Sequence, residues 1–287
     1  MKTWLFSLHK GAGNNTQFLS QIFNGQEWSD EVPVQKTGGL SDAPAAVEFN
    51  LNLYTFYARN HVFYYKVYDG EVWAGEAQVP NTAGVNGGIA AAVFDNRIYL
   101  FYSNPNQTAL MYRTFDGSTF GAETPAPVAY QNLDTPGATV LGNTMYVFCR
   151  GPGPGEPGNA NRFWYAAYDG NLWQGASVPN TAGIGNGPGA TTYDGKVYVM
   201  FNHPDGVFYY KTWDGSQWST DQQVPNTPGC VGNPGAAVFQ QKMYLLHQAP
   251  NSQYLYKTYN GEAWTADMPV PNTAGISSGP AAVAFSL

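Results

Sequence analysis

A chain of 287 residues with 33 Gly, 20 Pro, 15% aromatic and only 11% charged side chains is rich in turns and flat rings, which favours many short strands over long solvated helices. Its net charge of −7 is spread without long runs, so no basic stripe is present to neutralise phosphates, and nucleic acid or anionic membrane partners are disfavoured. No stretch approaches the apolar length of a membrane span, so membrane insertion is not expected.

The chain opens with Met1-Lys2-Thr3-Trp4-Leu5-Phe6-Ser7-Leu8, which imitates a signal peptide, but the apolar run stops at His9-Lys10. These residues align with a strand that recurs in every later repeat, so they are read as mature structure. Without a signal peptide, the expected location is the cytoplasm or the exterior by another export route. Six segments then recur in register: Phe23-Asn24-Gly25, Tyr68-Asp69-Gly70, Phe115-Asp116-Gly117, Tyr168-Asp169-Gly170, Trp213-Asp214-Gly215 and Tyr259-Asn260-Gly261. Three residues after each Gly stands an aromatic: Trp28, Trp73, Phe120, Trp173, Trp218 or Trp264. An aromatic followed by Asp-Gly or Asn-Gly predicts a two-residue type I′ hairpin, whose central residues both need positive φ. Upstream lie short aromatic and β-branched runs such as Tyr99-Leu100-Phe101 and Tyr244-Leu245-Leu246, preceded by small-residue runs such as Ala90-Ala91-Ala92-Val93-Phe94.

One unit is therefore a small-residue strand, an aromatic strand, a strand ending in Asp-Gly and a strand opening at the Trp. This four-stranded antiparallel meander is a propeller blade, and the fold expected is an all-β, six-bladed β-propeller forming one domain over 1–287. Its repeats are cut at about 1–50, 51–95, 96–142, 143–194, 195–240 and 241–287. The chain begins at an aromatic strand and ends with the small-residue strand Gly279-Pro280-Ala281-Ala282-Val283-Ala284-Phe285. The C-terminal strand is thus expected to join the N-terminal blade and close the ring, removing exposed sheet edges.

Four copies carry Val-Pro-Asn-Thr in the segment leading to the next blade, at Val79-Pro80-Asn81-Thr82, Val178-Pro179-Asn180-Thr181, Val224-Pro225-Asn226-Thr227 and Val270-Pro271-Asn272-Thr273. The first copy departs, reading Val32-Pro33-Val34-Gln35-Lys36-Thr37-Gly38, and so does the third, reading Pro127-Val128-Ala129-Tyr130-Gln131-Asn132. Two readings stand side by side. Pro, Asn, Thr and Gly are turn formers and explain the motif without a ligand. Amide and hydroxyl groups beside an aromatic also suit neutral sugars, which offer C–H faces to rings and hydroxyls to paired donors and acceptors. Trp28, Trp73, Trp173, Trp218 and Trp264 are read mainly as blade packing, while Tyr65, Tyr112, Tyr165, Tyr210 and Tyr256 on the third strand face either way. The loop after the motif adds Asn86, Asn186, Asn233, Ser277 and Ser278 among glycines.

Asp69, Asp116, Asp169 and Asp214 repeat with the hairpin and are read as structural, and the other carboxylates as scattered, so no catalytic pair is expected. His9, His61, His203 and His247 form no metal or hydrolase motif, and no cofactor, metal site or catalytic residue is expected. Cys149 and Cys230 are read as free thiols, with a disulfide between them left open.

With the repeat laid out, the chain resembles the fucose-binding β-propeller lectins of the Photorhabdus type, best in the Trp-Asp-Gly-x-x-Trp and Val-Pro-Asn-Thr stretches between Trp213 and Gly229. Those lectins are seven-bladed, against six copies here, and six blades are known from fucose-binding fungal lectins with different motifs. The resemblance implies a lectin binding glycans of cell surfaces or glycoproteins at several shallow sites between blades, with fucose or a methylated sugar as ligand. It carries over to the four intact motifs: Asn81 and Thr82, Asn180 and Thr181, Asn226 and Thr227, Asn272 and Thr273, with Trp73, Trp173, Trp218 and Trp264. The drifted first and third copies stand outside that set, and self-association is left open. The alternatives are a protein-binding scaffold, marked by one large apolar patch, and a propeller hydrolase, marked by one deep non-repeating charged site.

Overall fold

The computed structural model describes residues 2–126, 134–152 and 159–286. They form six four-stranded antiparallel sheets around a central channel. From the axis outward each sheet has an inner, a second, a third and an outer strand, as in Ala45–Phe49, Asn52–Arg59, Val62–Tyr68 and Ala77–Gln78 of blade 2. Blade 1 takes its inner strand from the other end of the chain: Ala281–Ser286 pairs with Thr3–Lys10, Thr3 opposite Ser286. Ring closure by the C-terminal strand is thus as the sequence implied. The sequence cuts after residues 50, 95, 142, 194 and 240 fall inside the turns between inner and second strands, so each repeat lends its last strand to the next blade.

Residue size explains the layering. The channel is lined by Ala, Gly and Pro of the inner strands, among them Ala45, Ala90, Gly137, Gly189, Gly235 and Ala281. A Cβ on Gly189 would collide with the Pro234 carbonyl of the neighbouring blade, so any side chain there would force the blades apart. The second strands are buried on both faces and read as continuous apolar runs. In blade 2, Tyr54, Phe56 and Ala58 pack with Ile98, Leu100 and Tyr102 of blade 3, while Leu53 and Tyr57 pack toward blade 1.

Two local expectations are corrected. The Asp-Gly loop is not a two-residue type I′ hairpin. Tyr68 pairs with Trp73 across four residues, Gly70 alone carries positive φ (103°), and Asp69 Oδ1 accepts the backbone N–H of Glu71 (2.9 Å) and Val72 (2.8 Å). Two-residue turns with positive φ at both positions lie instead between inner and second strands, as at Asn50 (50°) and Leu51 (60°). Likewise the outer strand does not open at the Trp in most blades. The buried Lys66 ammonium takes the Ala74 carbonyl (2.6 Å), Arg113 takes that of Gly121 and Gln21 that of Ser29, interrupting the ladder just after the aromatic. In blade 4 the equivalent residue is Ala166, and there the outer strand runs unbroken over Trp173–Ser177.

Candidate functional site

The Val-Pro-Asn-Thr motif is built as a joint between blades. Asn81, Asn180, Asn226 and Asn272 all sit at left-handed φ of 51–57°, a conformation Asn tolerates. The Thr hydroxyl accepts the N–H two residues on, as from Gly84 to Thr82 (3.1 Å). The next blade grips this turn with a buried third-strand group and a partly buried acid. Its third-strand cation donates to motif carbonyls: Arg113 to Pro80, Lys211 to Asn180 (3.0 Å), Lys257 to Pro225 and Asn226. Its outer-strand acid accepts from the Thr: Thr82 bonds Glu123 (3.2 Å), and Thr273 bonds Glu31 (2.6 Å). The drifted first copy makes the same joint, Thr37 donating to Glu76 (3.1 Å). The third copy's motif segment, 127–132, lies outside the described residues, but the blade it meets has Ala166 and Ala176 in place of cation and acid.

Those acids, Glu31, Glu76, Glu123, Asp221 and Asp267, stand three residues after the repeat aromatic in five of six copies. The sequence reading left them among scattered carboxylates. Four also meet their own second strand, His9 and Glu31 at 2.9 Å, Tyr57 and Glu76 at 2.7 Å, Tyr102 and Glu123 at 3.0 Å, His247 and Asp267 at 3.1 Å, while Asp221 meets His203 just past its second strand (2.8 Å). Burial pushes the Glu76 carboxyl up, but bonds from Arg59 (2.7 and 2.9 Å) and Tyr57 outweigh it and hold the pKa at about 2.

The expected pairing of each Trp with the Asn of its own repeat is also corrected. The two lie on opposite flanks of the blade and serve successive junctions. Trp173 packs on Tyr112 (5.6 Å), Trp218 on Tyr165 (5.5 Å) and Trp264 on Tyr210 (5.6 Å), each in the preceding blade, and Trp28 meets Tyr256 likewise (5.4 Å). Trp73 packs with blade 1, where Ser20 replaces the Tyr. In blade 3 the smaller Phe120 meets Tyr65 (5.3 Å). Four of these Trp therefore cluster with a Val of the previous repeat's motif segment, as Trp218 with Val178 and Trp264 with Val224, while Trp173 meets Ala126.

Between blades 4 and 5 a cleft of about 350 Å³ opens at the Asp-Gly end of the blades. Tyr146, Tyr165 and Trp213 supply its aromatic walls, with Thr144, Asp169 and Gln174 as polar groups. Trp213 is the one Trp at the hairpin-aromatic position of the six repeats, and its Nε1–H donates to the Tyr146 hydroxyl (3.1 Å), which fixes the indole. Leu172 stands at its edge, 59% exposed. Ala167, where most blades have a larger residue, lines the same space. Two aromatic faces, an exposed apolar edge and a few polar groups form an amphipathic slot open to water.

The remaining candidates divide between two other places. Thr273 lines a smaller hollow of about 210 Å³ with Asn251 and Gln253 at the motif end of blade 6. Asn86, Asn233, Ser277 and Ser278 leave the junctions altogether and converge on the axial mouth of the channel, and Asn186 stands at the equivalent position in blade 5.

No family model matches the chain, and no curated protein matches it by sequence. Among solved structures, the fucose-specific lectin from Aleuria aurantia superposes with a TM-score of 0.68 at 15% identity, covering 95% of this chain and 93% of that one. The SapL1 lectin in complex with α-methyl fucoside gives 0.63 at 17% identity over 89% of both chains. The GH43_1 enzyme from Xanthomonas citri, complexed with xylose, gives 0.51 at 16% identity, covering 72% of this chain and 81% of that one. At these identities the likeness is one of architecture, and it places the chain among six-bladed propellers of the shape that fucose-binding lectins use.

Proposed function

We propose that the protein is a carbohydrate-binding propeller, a lectin whose best-formed site is the cleft between blades 4 and 5. The observation that carries this reading is the slot itself: Trp213 and Tyr165 present ring faces, while Thr144, Gln174 and Asp169 supply hydrogen-bonding groups. A deoxy or methylated sugar such as fucose fits that chemistry, because its methyl group and C–H face take the aromatic wall while its hydroxyls take the polar groups. The shared architecture with fucose-specific lectins supports the same reading. The exposed Asn81, Asn180, Asn226 and Asn272 at the intact motifs are proposed as further shallow sites, which would give avidity toward clustered surface glycans. Hydrolysis is disfavoured, since the cleft holds one carboxylate, Asp169, already engaged by the N–H groups of Asn171 and Leu172.

The test is calorimetric titration with α-methyl fucoside. Trp213→Ala should weaken binding about tenfold or more, the cost of losing an aromatic anchor. Gln174→Ala, at an exposed position, should weaken it without changing the melting temperature. Absence of binding to any fucoside or methylated sugar, or full binding by both variants, would overturn the assignment.

A further inference from the structure

A second concave site lies on the propeller axis, at the end where the motif loops feed the inner strands. It encloses about 340 Å³, within the range of small-ligand pockets (about 300–1,000 Å³). Its wall comes from different blades and is polar: Asp42, Asn86, Asp134, Asn233, Gln248 and Ser278. Asp42, Gly87, Asp134, Asn186, Gly232 and Ser278 occupy one equivalent position in the six blades, so the ring is sixfold in backbone but not in chemistry. Two opposite blades, 3 and 6, place β-bulges here, with Gly87 (80°) and Gly232 (74°) at positive φ. Among the described residues the lining carries no aromatic side chain, in contrast to the lateral cleft.

Several of these groups are held ready yet incompletely used. Asn86 is anchored by a bond from its Nδ2 to the Pro105 carbonyl (3.0 Å). Among the described residues Asp42 accepts only the Ala43 N–H (2.7 Å), on one oxygen, and its other oxygen faces Gly87 of the next blade. The Ser278 hydroxyl is buried without a partner among the described residues. Asp134 is paired with Arg150 (2.6 Å), and among the described residues no three metal-ligating side chains come together here, so the mouth does not call for a cation. Its character is that of many neutral donors and acceptors with one carboxylate oxygen available.

We propose that this axial mouth is a separate binding site, taking an uncharged, hydroxyl-rich ligand end-on along the channel axis. It needs hydroxyls rather than an apolar ring face, so it accepts an acyclic polyol as well as a sugar. The inference adds a second site to the lectin reading but does not depend on the lateral cleft. The experiment is titration of the whole protein with galactitol, followed by the ¹H–¹⁵N signals of the Asn86 and Asn233 side-chain amides. A saturable shift of both signals is expected, unchanged in Trp213→Ala and weakened about tenfold in Asp42→Asn, which removes one charge-assisted bond while keeping the side chain's shape. No saturable shift, or an equal response in Asp42→Asn, overturns the proposal. Failure of fucoside to bind at the cleft, with galactitol still reporting at the axis, would instead sink the lateral site alone.

Discussion

Replacing Glu76 by Gln tests whether the acids three residues after the repeat aromatic hold the blades together. Glu76 accepts bonds from Thr37 and Gly38 of blade 1 and from Tyr57 and Arg59 of its own blade. Holding its carboxyl at about 2 instead of 4.5 corresponds to roughly 3 kcal/mol of folding stability at neutral pH. The Arg59 and Glu76 side chains are 24% and 16% exposed, and screening by water brings the expected loss to about 2 kcal/mol. The folded pKa is depressed, so the stabilisation is present above pH 4.5 and fades as pH falls toward 2. At roughly pH 3 less than half of it survives. Urea unfolding of wild type and Glu76→Gln should therefore differ by about 2 kcal/mol at pH 7 and by roughly 0.8 kcal/mol at pH 3. A difference below about 0.5 kcal/mol at pH 7, or one that does not change with pH, would refute the assignment of these acids as blade joints.

Two further outcomes follow from the ring. Ending the chain before Ala281 removes the strand that buries Val283 and Phe285 and leaves Thr3–Lys10 as an open edge, so the truncated protein should aggregate or show no cooperative melting. Cys149 and Cys230 are buried, and burial pushes both thiols up to about 12, so neither should react with a thiol reagent at pH 8 until denaturant is added; labelling of the native protein within minutes would contradict the packing.

The repeat made the architecture legible. Asp-Gly and the following Trp recur at fixed spacing, and Ala and Gly runs mark the one layer where neighbouring backbones touch. Reading Thr3–Lys10 as a second strand supplied the ring closure as well. The joint was less accessible, because it is spread over three segments: a Thr in one repeat, and a cation and an acid in the next. The acids were nevertheless visible as a register at Glu31, Glu76, Glu123, Asp221 and Asp267. Which flank a Trp occupies could not be read from its distance to Asn81 or Asn180, because the outer strand between them carries the chain across the blade. The axial mouth shows in the sequence only as short polar residues among glycines, Asn86, Asn233, Ser277 and Ser278, without a repeating chemistry, since its six equivalent positions hold Asp, Gly, Asp, Asn, Gly and Ser. Only three-dimensional closure brings Asp42 and Ser278 to one rim.

Blade 4 combines the two departures described above: Ala166 and Ala176 take the place of the cation and acid that tie other blades to their predecessors, and Ala167 and Trp213 shape the cleft on its far side. In terms of local opening equilibria, the missing joint predicts that blade 4 opens more readily than the tied blades and that its amide hydrogens exchange first. On the proposed function, a ligand seated in the cleft against Trp213 is expected to slow that exchange by mass action. The blade that lacks the acid joint and the blade that walls the cleft are thus one and the same, so a ligand in the cleft is expected to protect the part of the ring least tied to its predecessor.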